Sequence, residues 1–197
     1  MEYLIPPERL DLPDFTIRAY QPGDGALINA AVNRSYEHLR TFMDWAQPDT
    51  PLEESERLVR SWRAQWLQAS EFMLGIFSAD GSHQLGSTGY MLRGGALRSL
   101  AAEIGMWISA DAAGRGLGTR ALEALLGWGV TAWPWVRLEW RCDTRNTASR
   151  RVAEKAGMQM EGCLRGESVD RHGYRRDMFI FGALRDEWLS AHAAPGR

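Results

Sequence analysis

Glycines at positions 114, 116 and 118 stand between a stretch that alternates like a strand and one that repeats like a helix, in EIGMWISADAAGRGLGTRALEALLGWG (residues 103–129). Glycines in such a turn let backbone N–H groups approach an anion with no side chain between them. A helix starting there adds partial positive charge. Arg115 and Arg120 flank the turn and can add charge-assisted bonds to a phosphate. An ordinary chain connection is the alternative reading of the same residues.

Two familiar phosphate sites fit poorly. Gly116-Leu117-Gly118-Thr119-Arg120-Ala121 matches G-x-G-x-x-A, and Glu139 follows about where a ribose-binding acid is sought. However, SADAAGR separates Ile108 from Gly116, and four strand-like stretches come first, whereas a dinucleotide fold opens on its motif. A P-loop is excluded because no Gly-Lys-Ser/Thr occurs.

The elements that must position this turn read as one mixed α+β domain over residues 1–197, with its core at about 15–185. FTIRAY (residues 15–20) alternates as a first strand, and a helix follows from about Asp24 to Glu37. TPLE (residues 50–53) carries a capping-box pattern with proline at the first helical position. It predicts a second helix to about Ala69, with Leu52, Val59, Trp62 and Trp66 on its buried face. Strands are expected at 71–79, 84–92 and 101–109, the first two joined by a DGSH hairpin turn. Leu117, Ala121, Leu125 and Trp128 line one side of the helix after the glycines, which should end near Trp133. WVRLEWRCD (residues 135–143) is a strand, and Asn146 and Gly157 mark the cap and stop of a short helix. Strands at about 158–168 and 174–183 close the domain. The ends, up to about Pro13 and after about Ala191, read as loose.

Composition limits the function classes. Of 197 residues, 45% are hydrophobic and 24% charged, ordinary for a globular chain. A formal net charge of −2 argues against a dedicated nucleic-acid surface. Lys155 is the sole lysine. Two cysteines, Cys142 and Cys163, make neither a disulfide framework nor a zinc spacing, so no metal is expected. No signal peptide and no membrane span is evident, which makes a cytoplasmic protein the expectation.

Three stretches, in order, resemble the GNAT superfamily of acetyl-CoA-dependent N-acetyltransferases, and within it the Rim-type branch that acetylates α-amino ends of ribosomal proteins. EIGMWIS is similar to the family's fourth strand and GRGLGTRAL to its pyrophosphate loop. NTASRRVAEKAGMQMEGCLR resembles the branch signature N-x-x-S-x-x-V-x-E-K-x-G-F-x-x-E-G. HLRTFMDWA (residues 38–46) resembles a helical segment bordering the acceptor pocket, and GYRRDMFIFGAL the last strand. Ala113 departs from the family's Gln or Arg, and Met158 from its Phe with apolar bulk retained.

The resemblance implies a bent mixed sheet with splayed central strands, flanked by helices. It implies acetyl-CoA as cosubstrate, no metal, and direct transfer to a primary amine. CoA would rest on Arg115, Gly116, Leu117, Gly118 and Thr119, with Trp107 and Ile108 along the pantetheine. Asn146 could bond the pantetheine, although a capping role alone would explain it. Arg150, Arg151 and Lys155 reach CoA phosphates or form a solvated face. Ser149 would be the general acid for the departing thiol, or a serine packed on a helix. Glu167 is the implied base, although one additional residue before the HG pair leaves Ser168 and Asp170 open for that place, and Glu103 competes. Phe42, Met43 and Trp45 would line the acceptor pocket or form an apolar helix face. Cys142 reads as a core residue before a nucleophile. The acceptor is expected to be a protein N-terminus. A small amine, or an acyl-CoA sensor without catalysis, is the alternative. Dimers are usual among the apparent relatives, so a homodimer is possible.

Overall fold

A computed structural model describes residues 4–92 and 97–193. Contacts divide the chain into two compact units, one of Met1–Met91 with Gly105–Gly118 and one of Leu92–Ile104 with Thr119–Arg197. The boundary falls inside one strand and at the start of one helix, so each unit is described in turn.

The first unit holds β1 (Arg9–Asp11), β2 (Phe15–Ala19), α1 (Gly25–Leu39), α2 (Leu52–Leu67), β3 (Phe72–Ser78), β4 (Gln84–Met91) and the C-terminal half of β5 (Ala101–Ile108). The strands hydrogen-bond in sequence order, with β1, β2, β3 and β4 successively antiparallel. Its core gathers Tyr20, Ile28, Val32, Val59 and Phe77, against which Trp62 and Trp107 pack. Burying apolar groups of this size drives the collapse. Gln84 donates to the Tyr20 hydroxyl at 2.5 Å, so the buried phenol keeps a partner.

The second unit holds the first half of β5, then α3 (Leu117–Thr131), β6 (Arg137–Asp143), α4 (Thr147–Lys155), β7 (Gln159–Val169), β8 (Arg175–Leu184) and α5 (Arg185–Ala191). Strand order here is β5-β6-β8-β7. The β5/β6 pair is parallel over Ala101↔Arg137, Ala102↔Leu138 and Glu103↔Glu139, and the rest of β5 lies outside that ladder. The mixed α/β class is therefore as expected. Trp133 stacks on Trp135 at 5.8 Å and meets Trp128 edge-on at 5.6 Å. The predicted stripe Leu117, Ala121, Leu125 and Trp128 is buried throughout.

Several expectations need correction. The N-terminal stretch is not loose: Arg9–Asp11 pairs with β2, a ladder that depends on a distant edge and leaves no local pattern. Residues 185–191 form an additional helix. The capping box before α2 does not form. Pro51 is the N-cap with no side-chain cap bond, and the Thr50 carbonyl instead accepts from Asn29 and Asn33 of α1. Leu52 is exposed, while Val59 and Trp66 are buried. HLRTFMDWA is helical only to Leu39, because Phe42 and Met43 both donate to the Leu39 carbonyl in turns.

Candidate active site

In the first unit, β5 leads straight into the glycine turn. The Ser109 N–H donates to the Leu85 carbonyl, and the Ser109 carbonyl accepts from Ala112 and Ala113, which starts the reversal. Gly114 and Gly116 follow at φ +74° and +78°, a region that disfavours side chains. Neither glycine has an atom within 4 Å of where a Cβ would stand, so the turn is open as well as left-handed. Leu117 then buries its side chain and anchors the start of α3, whose first amides have no intrahelical acceptor. Open glycines, the amides that begin α3 and the exposed Arg115 fit a diphosphate.

The turn's approach is clasped to α1. Ala110 donates its N–H to the Ser35 hydroxyl at 3.0 Å. Asp111 receives the Ser109 hydroxyl at 2.5 Å and pairs with Arg34 at 3.1 Å, while Arg34 also donates to the Gln84 carbonyl at 2.8 Å. The Ser109 hydroxyl, and then Arg34, hold the Asp111 carboxyl below its ordinary range despite some desolvation.

The same unit joins two groups of predicted residues. Trp45, 50% exposed, faces Trp107 with ring centroids 6.1 Å apart. Phe42 is half-buried one turn earlier, and Ile108 is half-buried at the end of β5. An aromatic wall therefore borders the strand that the sequence assigns to pantetheine.

In the second unit, Asn146 caps α4 as expected, its Oδ1 accepting the Ser149 N–H at 3.0 Å. Gly157, at φ +81°, follows the helix. Ser149 is half-buried, and its oxygen accepts the Trp140 indole N–H at 3.1 Å. Cys142 is buried on the same face of β6. Burial pushes its thiol above the ordinary range although a hydrogen bond with Ser149 opposes this, which suits a core residue and not a nucleophile. Arg150 pairs with Glu154 at 2.7 Å and lies over Phe179 at 5.3 Å, while Arg151 and Lys155 stay exposed.

The opposite face of β6 carries the acids. Glu103 and Glu139 face each other in the parallel register, a like-charge pair that is unfavourable alone. Arg141, two residues along the same face, lies 3.2 Å from Glu103, 3.3 Å from Glu139 and 3.4 Å from Glu167. One guanidinium thus serves three carboxylates, of which Glu103 is only 5% exposed.

Glu167 reaches Arg141 across an irregular stretch of β7. Leu164 pairs with Met178 but Ser168 with Arg176, so β7 carries a bulge between them. Gly166 turns it at φ +61°, fixed by its N–H to Asp177 at 2.7 Å and its carbonyl to Arg175 at 2.6 Å. Of the competing residues, Asp170 accepts N–H bonds from His172 and Tyr174 in the next turn, and Ser168 pairs with Arg176 through its backbone while its hydroxyl is buried. Sequence reasoning missed Trp140 and Arg141. Their signal was present as the period-2 alternation of LEWRCD, which puts Trp140 and Arg141 on opposite faces.

Among the described residues no group of three or more His, Cys, Asp or Glu could hold a metal, and no helix is long and apolar enough to cross a membrane. Residues 14–159 match the acetyltransferase (GNAT) domain model, so the chain belongs to the GNAT acetyltransferase family and is a transferase acting on acetyl-CoA.

A protein of Bacillus subtilis (strain 168) named "Putative ribosomal N-acetyltransferase YdaF" is 24% identical over 181 residues, covering 88% of this chain and 92% of that protein. The structure of RimL, a ribosomal L7/L12 alpha-N-protein acetyltransferase in complex with coenzyme A, superposes with a TM-score of 0.82 at 22% identity, covering 91% of this chain and 99% of that one. Microcin C7 self-immunity acetyltransferase MccE, in complex with acetyl-CoA and AMP, gives 0.80 at 17% identity, covering 88% and 93%. The expected fold is thereby found in solved structures.

Proposed function

We propose that this acetyltransferase modifies the N-terminal α-amine of a protein, with ribosomal proteins as the acceptor class, by direct transfer in the cytoplasm. The observation that carries the reading is Ser149. It stands in the N-x-x-S signature at the start of α4, its oxygen held by Trp140. The chain's likeness to a protein named as a ribosomal N-acetyltransferase spans nearly its whole length.

Acetyl-CoA supplies a thioester whose carbonyl carbon an amine attacks and whose sulfur leaves. The amides of Gly116, Leu117, Gly118 and Thr119 bind the pyrophosphate, and Arg115 adds charge. Trp107 and Ile108 border the pantetheine. In the second unit Asn146, with its Oδ1 used by the cap, offers its amide NH₂ to the cosubstrate. Strand-edge amides at Met106–Ile108 are the donors for the developing oxyanion. Phe42 and Trp45 hold the acceptor's end extended, and Glu167 takes the amine's proton through water. Trp140 and Arg141 point to opposite faces of β6, so the hydroxyl and the carboxylate attach to that strand from opposite sides. Proton uptake from the amine and proton delivery to sulfur are then separate events.

The test is thiol release from acetyl-CoA with a panel of acceptors: peptides starting in Ser, Ala or Met, an N-terminally blocked peptide with an internal lysine, polyamines and aminoglycosides. Release with free N-termini and none with the blocked peptide supports the reading. Release with small amines alone overturns the acceptor class, and silence despite acetyl-CoA binding favours a sensor.

A further inference from the structure

Ser149 has an oxygen that must both hold a proton and give it away, and its neighbours determine whether it can. The indole N–H of Trp140 reaches Ser149 Oγ at 3.1 Å. An indole nitrogen only donates, so in this bond the serine oxygen accepts. The serine's own O–H then points elsewhere. Its other polar neighbour is the Cys142 thiol, held in its neutral form by burial and a weak acceptor. A serine in the first turn of a helix can also spend its O–H on a backbone carbonyl. Here the bond from Trp140 occupies a lone pair of the oxygen and so directs the O–H away from the indole.

We propose that Trp140 is a positioning residue that orients Ser149 as a proton donor. The inference rests on the reading of Ser149 as the acid. Trp140 is suited to the task because it is 5% exposed and fixed on β6, opposite the buried Phe181 of β8. An N–H aimed at the serine oxygen also stabilises the negative charge that develops as the proton leaves. The proton balance is closed. As the C–S bond breaks, sulfur keeps the electron pair and takes the proton from Ser149 Oγ. The oxygen is then reprotonated from bulk water, and Glu167 returns to that water the proton it took as nitrogen formed its new bond to carbon. A leaving thiol with a pKa of about 8.5 needs only such a modest donor.

The experiment is a double-mutant cycle with Trp140→Phe and Ser149→Ala, read as separate kcat and KM values and by the indole N–H resonances of the ¹⁵N-labelled protein. Trp140→Phe deletes the donor and keeps an aromatic ring. A hydrogen bond to a developing charge corresponds to a fall in kcat of about ten- to a hundredfold. The KM for acetyl-CoA should stay within about twofold, and in the Ser149→Ala background Trp140→Phe should change kcat by less than about twofold. Independently of activity, Ser149→Ala alone should move one indole N–H resonance upfield in the protein without acetyl-CoA. That arm decides the matter even if Trp140→Phe folds poorly. An equal fall in kcat in both backgrounds, or an unmoved resonance, overturns the proposal and leaves Trp140 as a core aromatic. A normal kcat in Ser149→Ala removes the serine's role itself. A slow Ser149→Ala beside a normal Trp140→Phe removes only the tryptophan's.

Discussion

Replacing Gly86 by alanine tests whether the edge of β5 is a working surface. Gly86 lies on β4 beside β5, where the Ser109 N–H and the Thr88 hydroxyl already tie the two strands to each other. A Cβ at position 86 would stand inside 3.0 Å of the Trp107 carbonyl oxygen and 3.2 Å from both the Ile108 Cα and Cδ1. Two of these three atoms are backbone, so no rotamer change relieves the contact and β5 itself must move. Overpacking of this kind costs about 1–3 kcal/mol. The retreat needed is on the order of 1 Å at Trp107–Ile108, and misplacement by about that much costs roughly 10²-fold in rate. The expected result is a folded protein, about 1–3 kcal/mol less stable to urea, with kcat/KM for acetyl-CoA down about 10- to 100-fold. Gly162→Ala is the matched control, since nothing lies within 4 Å of its Cβ position. Stability loss with intact kcat/KM would refute the assignment of this strand edge to the cosubstrate. Neither effect would refute the packing argument.

Arg141→Gln removes the cation shared by Glu103, Glu139 and Glu167 and leaves a nearly buried carboxylate opposite another. A loss of about 3–5 kcal/mol is expected in urea unfolding, partly restored by adding Glu103→Gln, and a loss below about 1 kcal/mol would contradict the network. Asp111 is held below its ordinary range by Ser109 and Arg34, so its contribution is present above the unfolded-state value of about 3.9 and fades as pH falls through the folded one. The Tm difference between the wild type and Asp111→Asn should accordingly be widest near neutral pH and close towards pH 3. A gap independent of pH would show that the clasp contributes nothing through its charge.

Features set by backbone geometry over a few residues were readable without a structure. The glycine turn, the Asn146 cap and the apolar stripe of α3 each depend on local conformation, and each stands where the sequence puts it. Thr50 shows where such reasoning stops. Its residue type and spacing suit a cap, but its hydroxyl turns back to the Gln47 carbonyl, and its backbone is held by two asparagines of α1 that lie 17 and 21 residues away. The Phe42–Trp45 segment fails for a related reason. Its composition suits a helix, yet the helix ends at Leu39 and the segment is held in turns, with Trp45 facing Trp107, 62 positions on.

The candidate base shows a subtler limit. Alternation along β7 assigns side chains to faces only while the ladder stays in register, and a bulge around Gly166 breaks that register just before Glu167. From Leu164 to Ser168 β7 spends four residues against two from Met178 to Arg176, so counting from a signature leaves Glu167, Ser168 and Asp170 all open. What the structure adds is a contact: the bulge brings Glu167 to Arg141, a residue already committed to Glu103 and Glu139. The proposed acid is legible for the opposite reason. Ser149 sits three residues after its cap on an uninterrupted helix, so its place follows from local geometry alone. Its partner Trp140 belongs to a different element, and nothing in the spacing between them announces a bond. The features proposed for cosubstrate binding are thus largely written in the backbone, while those proposed for proton control depend on contacts between elements.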